Sequence, residues 1–77
     1  ADQGNAIAQY NLGVEYATGE GVPKDNLLAY MWWNIAGANG EDVEKNMGIL
    51  TDLMSQADIS KAQEKTTQYI KDNPDVY

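Results

Sequence analysis

Neither cysteine nor histidine occurs in the 77-residue chain. Those two absences together remove disulfides, thiolate chemistry, imidazole bases and the commonest zinc ligands. Arginine is missing as well: the five basic residues are all lysines, set against twelve carboxylates, for a formal net charge of −7. Such a surface repels phosphate backbones, which argues against nucleic acid as a partner. The longest apolar stretch, residues 27–38, is interrupted by Asn34 and is well short of the roughly twenty residues that cross a bilayer. No membrane span is expected. The opening residues lack the basic and apolar regions of a secretory leader and do not start with methionine. The chain is read as a processed product or excised piece, with any targeting signal upstream and the compartment unassigned.

What is present is helical periodicity punctuated by glycine and proline. Asn5 is a good N-cap for a first helix over residues 6–17, where Ala6, Tyr10, Gly13 and Ala17 share a face. Gly19, Gly21 and Pro23 then force a turn, and Asp25 offers a second N-cap. The second helix is apolar around much of its circumference, with Leu28, Trp32, Ile35 and Ala36 on one side and Ala29 and Trp33 on another, so it should be covered from more than one direction. Asn39-Gly40 stops it. A third helix over residues 42–54 places Val43, Met47, Leu50 and Met54 inward, with Ile49 and Leu53 widening the stripe. Ser55 caps a fourth helix whose buried side is Ile59, Ala62, Tyr69 and Ile70, and Asn73-Pro74 closes it.

Gly4 and Gly40 stand 36 positions apart at the ends of similar tetrapeptides, with Ile7 and Val43 following at one offset. A period of that size points to stacked helical hairpins. The order Ala8-Gln9-Tyr10-Asn11-Leu12-Gly13, then Tyr16, Gly19, Gly21-Val22-Pro23-Lys24-Asp25, Ala29, Trp32, Ala36 and Gly40, resembles the Sel-one-like repeat, a relative of the tetratricopeptide repeat. The resemblance implies an all-α fold of about four helices, built as antiparallel αα-hairpins stacked into a right-handed α-solenoid. It divides the chain into the tail of a preceding repeat (residues 1–4), one repeat (residues 5–40) and a divergent two-helix cap (residues 41–77). Glu44 and Gly48 depart from the repeat pattern set by Ala8 and Leu12. Residues 53–63, ending in Ile-Ser-Lys-Ala-Gln, are similar to segments that follow the last repeat in bacterial members, and bacterial origin is implied by the same likeness.

Each motif residue also has a physical reason. Gly13 and Ala29 suit a close helix crossing, and Tyr16 and Trp32 fill the space around it. Core packing is expected for Trp32 before Trp33. The two indoles stand about 100 degrees apart on a helix and so form no flat sugar or cation platform. Gly37, where the repeat usually has alanine, marks either a loose helix end or a tight contact.

Carboxylates are the remaining catalytic candidates. Glu41, Asp42 and Glu44 cluster at a helix start, where the dipole favours negative charge, and no calcium-loop spacing occurs. No catalytic, cofactor or metal residue is assigned, and the chain is not expected to be an enzyme. The resemblance implies that the first helix lines a concave groove through Ile7, Tyr10, Asn11 and Val14. The expected partner is a protein or peptide, basic or amphipathic given the negative charge. Self-association through the uncovered first-helix edge is a further expectation. The competing readings are a purely structural cap on a longer array and an accessory domain of an enzyme encoded upstream.

Overall fold

The separation of the first two helices is written in three residues. Gly19 and Gly21 both take φ of +78°, a region open to glycine and strained for other residues. Asp25, in extended conformation, accepts hydrogen bonds through Oδ1 from the Leu27 and Leu28 amides at 3.0 and 3.2 Å. Its own amide donates to the Tyr16 carbonyl at 2.9 Å, which ties the end of the loop to the first helix. The computed structural model describes residues 3–76, with side chains for residues 5–75. These residues form α1 (Gln3–Thr18), α2 (Asn26–Ala38), α3 (Glu44–Leu53), α4 (Gln56–Asp72) and a 3-10 turn at Pro74–Val76. No strand occurs among the described residues, and the fold is all-α.

The other ends follow equally local rules. Past the end of α2, Gly40 takes φ of +108°, and the amides of Gly40 and Glu41 donate to the Gly37 and Ala36 carbonyls at 3.2 and 3.0 Å. This is the paired bonding of a Schellman motif. Ser55 Oγ accepts from the Asp58 amide at 3.1 Å and opens α4. Asn73 closes α4 by donating both its amide and its Nδ2 to the Tyr69 carbonyl.

Two helix starts differ from expectation. Asn5 does not cap α1, which already includes Gln3 and Gly4; Ala1 and Asp2, the rest of the expected repeat tail, lie outside the described residues. α3 begins at Glu44 rather than Asp42: its N-cap position is Val43, which makes no side-chain cap bond, and the Asp42 carboxylate just before it accepts from the Glu44 amide at 3.3 Å.

α2 is the central element, packed against α1, α3 and α4. Its Ala29, Ile35 and Ala36 are wholly shielded from solvent, and Ala29, Tyr30 and Trp33 form one cluster with Leu50, Met54 and Ala62. The expected order of the tryptophans is reversed. Trp33 is the buried one, at 5% exposure, and it donates its indole N–H to the Tyr10 carbonyl at 3.1 Å. A Cβ on Gly13 would overlap Trp33 Cδ1 and Nε1, so the glycine makes room for an indole and not for a backbone. Trp32 is half-buried and meets Tyr69 edge to face, with ring centroids 5.2 Å apart. At Gly37 the tight-contact explanation holds, since an added Cβ would lie 2.8 Å from Val43 Cγ2.

The two hairpins stack through positions about one period apart. Asn46 Nδ2 donates to the Tyr10 hydroxyl at 3.3 Å across a separation of 36 residues, joining α3 to α1. Gln63 Nε2 donates to the Tyr30 hydroxyl at 3.3 Å, joining α4 to α2.

Candidate functional site

Ile7, Tyr10, Asn11 and Val14 fall at steps of three, one and three, which keeps them on one stripe of α1. The structure divides that stripe in two. Tyr10 and Val14 are half-buried and packed against the core cluster. Tyr10 stacks on Trp33 with centroids 6.4 Å apart and an interplanar angle of 30°, while its hydroxyl is held by Asn46. Ile7, 49% exposed, and Asn11 face solvent. Of the expected contact set, Tyr10 and Val14 are therefore engaged with the core, Tyr10 also holding α3 through Asn46, while Ile7 and Asn11 are exposed.

Two further residues are exposed although apolar periodicity places them inward. Ile49 and Leu53 are 67% and 68% exposed, so they do not widen the buried stripe of α3. They stand three and seven positions after Asn46, on the side of α3 that reaches Tyr10 of α1. The signal that would have separated them is azimuthal: both lie to one side of the line through Met47, Leu50 and Met54, of which Leu50 and Met54 are buried. Ile7, Ile49 and Leu53 make up the large hydrophobic residues exposed among the described residues, and all sit on α1 or α3. Scattered single apolar residues need no explanation, but these three stand on the two helices that the Asn46–Tyr10 hydrogen bond joins, and they are the candidate contact residues.

The repeat-motif residues are structural in their geometry. Gly13, Ala29 and Ala36 are buried at the α2 interfaces, Leu12, Tyr16 and Trp32 are half-buried, and Gly19, Gly21, Asp25 and Gly40 shape the turns as described. Among the described residues no three acidic side chains come together as a metal site, and no helix is long and apolar enough to cross a membrane.

An all-helical chain whose hairpins stack one period apart has the architecture of an αα-repeat unit. Comparison with family models gives a match to the Sel1 repeat over residues 6–41, which takes in most of α1, all of α2 and the loop between them. That segment is Sel1-like, a repeat type that serves interaction or scaffolding and is generally non-catalytic. No curated protein and no solved structure matches the chain.

Proposed function

We propose that the chain is a non-catalytic interaction module whose contact surface is the α1–α3 seam, centred on Ile7, Asn11, Ile49 and Leu53 and backed by Tyr10 and Val14. The observation that carries this reading is that the exposed large hydrophobics sit on these two helices, in a segment similar to an interaction-type repeat. Exposed apolar residues on a chain of net charge −7 fit an amphipathic protein segment with basic flanks. In this reading residues 41–77 cap the array. The cap role is favoured by α4, whose exposed residues include Ser60, Lys61, Gln63, Glu64, Thr67 and Gln68, a polar face suited to water.

The test is an isotope-labelled NMR titration of the 77-residue chain with a basic amphipathic helical peptide and with its charge-reversed counterpart. Methyl shifts at Ile7, Ile49 and Leu53, stronger for the basic peptide, are expected. Shifts confined to α4, or equal response to both peptides, would sink the seam as the contact surface. Light scattering over the same concentrations reads out a competing occupant, a second copy of the chain covering the α1 edge.

A further inference from the structure

The opposite side of the molecule holds a cavity that the interaction reading does not use. Its volume is about 400 Å³, and it lies where the end of α1 and the start of α2 meet the last turns of α4. That volume is in the range of small-molecule sites, about 300–1,000 Å³. Leu28 and Met31 give it an apolar base, and Met31 is buried. Trp32 and Tyr69 form a corner of two rings inclined at 66°, and Tyr16 adds a third aromatic side chain to the lining. Tyr16 stands nine positions after Ile7, half a turn of helix away, so this cavity and the α1–α3 seam are separate surfaces.

The polar groups converge from α4. Asp72 lines the cavity, and its Oδ1 accepts a hydrogen bond from Gln68 Nε2 at 3.0 Å, which fixes the carboxylate one turn from Tyr69. Lys65 is the one basic residue in the lining. Aromatic π faces attract cations, most strongly when water is partly excluded, and quaternary ammonium groups are bound in proteins by aromatic side chains in this way. A carboxylate beside the rings adds direct charge attraction, and the chain's net charge of −7 raises the local concentration of cations. An anionic ligand would gain only Lys65 and would face both the carboxylate and the negative faces of the rings.

We infer that this cavity binds a small organic ammonium compound, with the cationic head in the Trp32–Tyr69 corner beside Asp72 and the apolar remainder over Leu28 and Met31. Lys65 opposes the cation and weakens binding.

The probe is choline, compared with 3,3-dimethylbutan-1-ol, which keeps its shape and removes its charge. In an NMR titration of the 77-residue chain, choline is expected to shift the Trp32 indole and Tyr69 ring signals saturably. The neutral alcohol should bind about three- to tenfold more weakly, in keeping with a solvent-exposed cation–π contact plus a surface ion pair. The exposed-site substitution D72N should weaken choline about threefold or more and leave the alcohol unchanged, and K65Q should tighten choline. W32L should abolish the response; D72N and K65Q keep the test decisive if W32L fails to fold. Equal affinity for choline and the alcohol would overturn the inference, as would shifts mapping to Ile49 and Leu53, or no saturable shift at tens of millimolar. A third arm uses a short peptide with one lysine: tighter binding of that peptide in the same cavity would overturn the assignment to a small compound.

Discussion

The two helix pairs are joined by different means and pack differently: α1 and α2 lie against each other, whereas α3 and α4 each pack chiefly on α2. The first joins its helices through residues 19–25, with two glycines at positive φ, an aspartate cap and a backbone tie to α1. The second links α3 to α4 through residues 54 and 55 alone, with Ser55 as cap and no glycine at all. The first also buries an indole against a glycine of its partner helix, whereas α3 sends Leu50 and Met54 into the core and leaves Ile49 and Leu53 outside. The contrast teaches that the repeat motif closes a packed helix pair, while a short capped link leaves the following two helices to seat separately on α2. A unit can therefore stack on a repeat without copying its residues, provided the groups that bridge the two, such as Asn46 and Gln63, find partners.

The comparison is broken most severely at Trp33. Trp33→Ala should remove about 3–5 kcal/mol of stability, a large part of the roughly 5–15 kcal/mol available to a small domain. Trp32→Ala should cost at most about 2 kcal/mol, because that indole is half-exposed. Urea unfolding followed by circular dichroism measures both, and equal losses would show that the two indoles share the core evenly. Gly13→Ala comes next, at about 1–3 kcal/mol, since the new methyl overlaps the Trp33 ring and overpacking outweighs the gain in helix propensity.

The caps sharpen the comparison at a smaller scale. Asp25→Ala should cost about 1–2 kcal/mol and Ser55→Ala about 1 kcal/mol or less, because Asp25 satisfies two amides and Ser55 one. Thermal melts resolve such differences, as about 1 kcal/mol moves the midpoint of a domain this size by roughly 4–8 °C. The smallest effect has the opposite sign. Gly48→Ala should stabilise by about 0.5–1 kcal/mol, since a Cβ there meets nothing within 4 Å and the backbone is helical. A loss of stability at Gly48 with an unchanged α1 would mean that α3 is covered by something beyond the described residues.

The exposed residues of the proposed contact surface are only half legible in the sequence. Ile7 and Asn11 were placed outward from their position in the repeat, and the structure leaves both exposed. Ile49 and Leu53 were not, because a stripe of apolar residues reads the same whether its edge meets a neighbouring helix or water. Tyr10 was expected among the ligand contacts, yet its hydroxyl and ring are engaged by Asn46 and Trp33, residues far from it in the chain.

By itself the sequence determined the helix count, the turns and most of the caps. Those features depend on interactions within a few residues, such as positive φ at Gly19, Gly21 and Gly40 or a carboxylate reaching the next free amides. Only the tertiary structure decided which tryptophan enters the core, which side of α3 is left bare and where an aromatic corner opens between α2 and α4. Helical spacing fixes the angle between two side chains on one helix. It does not fix which angle faces the neighbour, and that choice rests on how Gly13, Trp33 and Leu50 fill the space between helices.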